Sequence, residues 1–217
     1  MRRNFVITIT DNEQSMKASD RCVASGRKYG IDVGKWNAIT PRTNIFEDMV
    51  EEANLNIEAF STEYSRPENA LACFLSHRQL WEYSVQNKCE VLILEHDAVF
   101  VDRVGSISFD RCVTIGKPSY GQFNIPESLG TQLLVHKRYF GGAHAYIVNP
   151  LGAEMLLDKV ATHSEPTDIY LNRDNFPFLE EHYPWKVEVN DSFTTIQQPK
   201  GTYAKHNYNK GIEIIEA

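Results

Sequence analysis

Short β-branched runs alternate along this chain with longer stretches whose apolar residues recur at helical spacing. Asn4 to Thr10, with the run FVITIT, reads as a first strand. Ser15 to Tyr29 then reads as a helix, with Gly30 placed as its C′ residue. The run IDVGKWNAI gives a second strand that Pro41 ends, and Thr43 to Ala53 a short helix with Glu47 and Asp48 near its start. Ser61 to Arg66 is a polar connector. From Pro67 to Asn87, Leu71, Phe74, Leu75, Leu80, Trp81 and Val85 form one apolar stripe, so a long helix is expected there. Pro67 and Glu68 suit its first turn. CEVLILEHDAVF follows as the central strand.

Asp102 to Gly130 is rich in Gly and Pro and reads as loops with room for one short strand. Strands are expected at Leu133 to Val135 and Ala143 to Val148, around Gly141 and Gly142. Helices are expected at Pro150 to Val160, with Asn149 as N-cap, and at Glu165 to Arg173. A last strand is placed at Lys186 to Val189. This alternation predicts an α/β fold with a mostly parallel central sheet and flanking helices. No repeat or low-complexity linker interrupts it, so one domain is expected over residues 1–217.

Composition narrows the functional classes. The net charge of −7 argues against nucleic-acid binding, which needs a basic surface. It also means that a phosphate-bearing ligand needs local help from a metal, a Lys or Arg, or a helix N-terminus. No run reaches the apolar length of a transmembrane segment. The apolar part of MRRNFVITIT is shorter than the roughly 7–15 residues of a secretory core. Cys22, Cys73, Cys89 and Cys112 show no CxxC spacing and read as reduced thiols, which points to the cytoplasm.

Candidate chemistry centres on LILEHDAVF. Four apolar residues run into Glu95, His96 and Asp97, where open α/β sheets bind ligands. If the strand continues, Glu95 and Asp97 share a face while His96 points away. Two hard oxygen groups on one side suit Mn²⁺ or Mg²⁺. The plainer reading is a strand end exposing three polar residues.

Cys73 and His77 stand one helical turn apart, with Ser76 beside His77. A nucleophile pair is conceivable, although a histidine bonded to backbone or ligand is the commoner use. Gly141 and Gly142 would let backbone approach a ligand, or only make a tight turn; no phosphate-loop spacing accompanies them. Glu165, Asp168 and Asp174 form an acidic set. Asp168 is either a helix cap or a general base. Lys200, Lys205 and His206 could meet a diphosphate or a metal, or be a solvated tail.

In order, these segments resemble glycosyltransferase family 25, the lipooligosaccharide and collagen galactosyltransferases. The family's Gly/Ala-Cys-x-x-Ser-His-x-x-x-Leu-Trp helix and the acidic strand end after it are matched by Cys73, Ser76, His77, Leu80, Trp81, Glu95, Asp97 and Ala98. GGAHAYIVNPLGAEMLL, EPTDIYL and TIQQP are similar to its later segments. The resemblance implies a GT-A type, Rossmann-like nucleotide-binding sandwich. It implies inverting transfer of a hexose, galactose first, from UDP-galactose or UDP-glucose to a glycan or glycoconjugate. Residues 1–100 would form the donor half and 101–217 the acceptor half.

On this resemblance Asp97, Glu95 and His206 would hold the metal. Thr8, Thr10, Asp11, Ser76, His77, Glu95, His96, Gly142 and His144 would meet the donor, and Asp168 would be the base. The chain departs from the family pattern at His96, where an acid is usual. It also departs after the first strand, where neither Lys17 nor Arg21 aligns with the usual arginine. A member that binds nucleotide or sugar without turnover is the alternative.

Overall fold

The computed structural model describes residues 2–190, 192–204 (203 and 204 in backbone only) and 212–217. Strand β1 (Arg3–Thr8) leads into helix α1 (Glu13–Lys28), capped by Asn12, whose side chain accepts the Ser15 N–H. The helix ends in a Schellman turn. Gly30 takes φ 77°, its N–H reaches the Arg27 carbonyl, and the Ile31 N–H reaches that of Gly26. Strand β2 (Gly34–Asn37), helix α2 (Phe46–Glu52) and a 3₁₀ turn (Ile57–Phe60) precede the long helix α3 (Pro67–Asn87).

Strands β3 (Val91–Glu95), β4 (Ala98–Phe100), β5 (Cys112–Thr114), β6 (Gly130–Leu133) and β7 (Ala145–Val148) follow. Next come helices α4 (Pro150–Asp158), α5 (Val160–His163) and α6 (Thr167–Tyr170). The chain closes with β8 (Leu179–Tyr183), β9 (Val187–Val189), β10 (Phe193–Thr194), α7 (Pro199–Ala204) and β11 (Glu213–Ile214).

Among the described residues, seven strands form one sheet in the order β2-β1-β3-β7-β5-β8-β6. Strands β2, β1, β3, β5 and β8 run one way; β7 and β6 run against them. The fold is therefore α/β with a mostly parallel central sheet and flanking helices, as the strand–helix alternation predicts. No helix among the described residues is long and apolar enough to cross a membrane.

The structure corrects two expected strands. The apolar run at residues 89–100 is not one strand. It leaves the central sheet after Glu95, turns at His96 and Asp97, and resumes as β4, which pairs with β9. The strand expected at Leu133 to Val135 lies earlier, at β6. Backbone pairing with β8 reaches the Leu134 N–H, which donates to the Leu179 carbonyl; beyond it, Glu181 Oε1 accepts the Val135 and His136 N–H groups at 2.5 and 2.9 Å.

The sheet separates two apolar cores, and strand alternation assigns residues between them. Val91, Ile93, Tyr146 and Val148 join the core under α3 and α4; Leu92, Leu94, Ala145 and Ile147 join the core under α1. Helix α3 buries Leu71, Phe74, Leu75, Leu80 and Trp81 completely. At about 25 cal/mol per Å² of apolar area, each such side chain contributes roughly 1.5–3 kcal/mol. His77 lies on the same helix and is also fully buried.

Two consequences are measurable. A Cβ on Gly152 would stand 2.4 Å from the Arg111 carbonyl, in the turn that also accepts the Asn149 N–H. Gly152→Ala should therefore cost on the order of 1–3 kcal/mol in urea unfolding, although alanine is the better helix former. A neutral or stabilised variant would contradict this packing. Burial, opposed by the Asp168 charge, pushes the His77 imidazole from 6.5 down to about 3. Between those values the unfolded chain binds a proton that the folded chain refuses, so stability falls as pH falls through that window. Urea melts should lose roughly 2 kcal/mol between pH 7 and pH 5 from this group, and His77→Gln should flatten that slope. An unchanged slope in the variant would exclude His77 as its source.

Candidate functional site

Strands β1 and β3 run parallel, with Ile7 opposite Glu95, and a cavity opens beyond their carboxyl ends. This is where open α/β sheets place ligands. Glu95, His96 and Asp97 all border it, as do Cys73, Ser76 and His77 from α3, Gly142 and His144 before β7, and Asp168 from α6. Segments far apart in sequence thus meet in one place. Of the other expected residues, Thr8 does not border the cavity. It is fully buried and its hydroxyl donates to the Val6 carbonyl, while Ile7 and Ile9 on the opposite face line the space. Thr10 and Asp11 border a neighbouring groove with Lys35, Asn37 and Arg42. His206 lies outside the described residues.

The turn changes the expected facing of the triplet. Because the strand stops at Glu95, period-two alternation does not extend to Asp97, and His96 borders the cavity with both acids. His96 is held from the side: its Nδ1 lies 2.8 Å from Ser15 Oγ and its ring meets Phe193 at 5.0 Å. Backbone bonds fix the turn on either side. The Glu95 N–H donates to the His144 carbonyl, and the Asn190 N–H donates to that of Asp97.

Ser76 Oγ is occupied by backbone, accepting the Ile39 N–H at 2.8 Å and donating to the Ala72 carbonyl at 2.9 Å. It staples α3 to the segment after β2. Cys73 does not fit a nucleophile. Burial, then the Glu95 charge, pushes its thiol well above 9, away from the reactive thiolate. Its sulfur, His77 and Glu95 nevertheless place one ligand atom each within 4.8 Å of one another. The Gly141–Gly142 pair serves close packing. Gly142 has φ 104°, and a Cβ there would overlap Ser119 Oγ at 2.1 Å; one on Gly141 would press on Pro118 at 3.0 Å. Gly116 similarly leaves room for the His144 ring.

Asp168 sits in the first turn of α6, inside the helix and not at its cap, which is Pro166. Its Oδ1 accepts the Ile169 N–H at 3.0 Å and its Oδ2 accepts the Tyr120 hydroxyl. Burial, then the Asp168 charge, pushes the Tyr120 phenol well above 10, so it remains a donor. Tyr120 was not expected at the site. It lies in the loop-rich stretch where no periodicity marks a role, and only folding brings it to Asp168.

The electrostatics are one-sided. Among the described residues bordering the cavity are three carboxylates, Glu95, Asp97 and Asp168, and no Lys or Arg. An anionic ligand entering here needs a cation to bring it in. Two of these carboxylates stand together at the β3 turn and offer hard oxygens, the donors that Mn²⁺ and Mg²⁺ take. The residues present therefore fit such a cation.

The sequence profile of glycosyltransferase family 25 (LPS biosynthesis protein) matches residues 1–117, just over half of the 217 residues. No curated protein matches the chain. Among solved structures it is similar to the CTP:phosphocholine cytidylyltransferase LicC of Streptococcus pneumoniae, at 13% identity and a TM-score of 0.40, over 86% of this chain and 92% of that one. The matched profile takes in β1, helix α3 with Cys73, Ser76 and His77, and the Glu95–Asp97 turn. The chain belongs to glycosyltransferase family 25.

Proposed function

We propose that the chain is an inverting, metal-assisted hexosyltransferase that moves galactose or glucose from a UDP-sugar to a glycan or glycoconjugate acceptor. The observation that carries this reading is the charge layout of the cavity: two carboxylates at the β3 turn, a third from α6, and no Lys or Arg among the described residues that border it. Glu95 and Asp97 would hold Mn²⁺ or Mg²⁺, which when bound supplies the positive charge that the leaving diphosphate needs. His96, pinned by Ser15, stays beside them as a donor contact.

Asp168 takes the proton of the acceptor hydroxyl as its oxygen attacks the anomeric carbon. The bond from that carbon to the diphosphate oxygen breaks on the opposite face, so configuration inverts and no covalent enzyme intermediate is required. Tyr120 donates to Asp168 Oδ2 and holds the carboxylate in place. A second reading, binding without turnover, draws on one observation: His96 borders the cavity where the family carries an acid.

Incubation of UDP-galactose and UDP-glucose with the protein, Mn²⁺ and a panel of glycan acceptors should give UDP release that chelation abolishes. Asp97→Ala should lower it by roughly a hundredfold or more. Binding of UDP by calorimetry without release from any donor would favour the second reading. Asp168→Asn should cut transfer by roughly 10²–10⁴-fold while UDP affinity stays within a few fold. An Asp168→Asn enzyme with near-normal transfer would remove Asp168 from the role of base.

A further inference from the structure

A buried hydrogen-bond chain runs beneath the cavity to His77 and points at Glu95. Trp81, Tyr146 and His77 are all fully buried. The Trp81 Nε1–H can only donate, and it donates to Tyr146 Oη at 2.8 Å. Tyr146 Oη also lies 2.8 Å from His77 Nδ1, with the two rings within 11° of parallel. Beyond the ring, His77 Nε2 faces Glu95 Oε1 at 3.4 Å, and this nitrogen has no hydrogen-bond partner among the described residues. That gap is roughly half an ångström longer than a good N–H···O bond, within what a site tightens on binding its ligand.

The donors decide the direction. The tyrosine hydroxyl owns one proton, and Trp81 already supplies one to its oxygen. Its own proton therefore goes to His77 Nδ1, the remaining polar partner, which leaves the imidazole proton on Nε2. The opposite tautomer strands the tyrosine proton in a buried space and turns a nitrogen lone pair toward a carboxylate. Each fault alone disfavours it by a factor of roughly ten to a hundred.

We infer that Trp81 and Tyr146 set the tautomer of His77, so that its Nε2–H is turned to Glu95 Oε1 and fixes that carboxylate at the cavity wall. His77 and Tyr146 are then positioning residues, which deepens the proposed function and rests on its reading of Glu95. The same tautomer counts against a thiophilic metal on Cys73, His77 and Glu95. Such an ion would need the Nε2 lone pair that the chain of bonds removes.

The test is an imidazole ¹⁵N–¹H correlation spectrum of the intact protein at neutral pH, with His77 assigned by the signals lost in His77→Gln. Protonated Nε2 and bare Nδ1 are expected; a proton on Nδ1 overturns the inference. In Tyr146→Phe, with the fold checked by circular dichroism, the His77 signals should move toward a tautomer mixture. The Mn²⁺ concentration needed for half-maximal turnover should rise about tenfold, with kcat changed less. His77→Gln, which keeps an N–H donor, should recover part of the Mn²⁺ affinity that His77→Ala loses; equal losses would contradict the positioning role. Titration with Co²⁺ supplies the opposing outcome, since a thiolate charge-transfer band abolished by Cys73→Ala would make His77 a metal ligand. The tautomer readout needs no turnover, so an inactive protein would undermine the proposed function and leave this inference standing or falling on its own spectrum.

Discussion

Strand β3 must be buried on both faces, and much of the architecture answers to that constraint. Val91 to Leu94 have no exposed surface, and their alternation divides them between a core under α3 and α4 and a core under α1. A strand buried this way must satisfy its backbone through neighbours on both edges, here parallel β1 and antiparallel β7. It can carry polar residues only where it leaves the sheet. Glu95 is the last paired residue, and the chain turns at once. The acids stand where they do because the apolar strand ends there.

Antiparallel β7 is what closes the site. A parallel neighbour such as β1 brings the segment after it to this end of the sheet, whereas antiparallel β7 brings the segment before it. The residues just before β7 therefore lie beside the end of β3: the His144 carbonyl accepts the Glu95 N–H, and Tyr146 reaches under the cavity to His77. The positive φ of Gly142 and the absent side chain of Gly116 let this segment pack so closely. Polar groups inside the core are matched in series, from Trp81 through Tyr146 to His77, and the series runs out at the cavity wall.

Charge completes the arrangement. A protein of net charge −7 gathers three carboxylates around one cavity. Carboxylates so placed repel one another and any anion unless something positive stands among them. Hydrophobic burial gives no reason for that cluster, and the proposed cation site rests on it. Asp168 comes from a separate element, helix α6, and has its own donor in Tyr120.

Much of this was readable along the chain. Apolar spacing located α3 at Pro67–Asn87, and Gly30 and Asn149 sit where a left-handed C′ residue and an N-cap were expected. Those features are local, decided by side-chain period and backbone freedom over a few residues. The family resemblance likewise rested on residues that keep their order. Short β8 went unread, and β5 was foreseen only as room for one short strand in a loop-rich stretch, since three to five residues carry too little period to distinguish a strand from a loop. The end of β3 at Glu95 was also hidden, because Ala98–Phe100 is as apolar as the strand before it and only pairing with β9 assigns it elsewhere. Tyr120 beside Asp168, Ser15 beside His96 and Tyr146 beside His77 were beyond any one-dimensional reading. The residue types, caps and periods were determined by sequence alone; which hydrogen-bonding groups face one another was decided only when the sheet brought distant segments together.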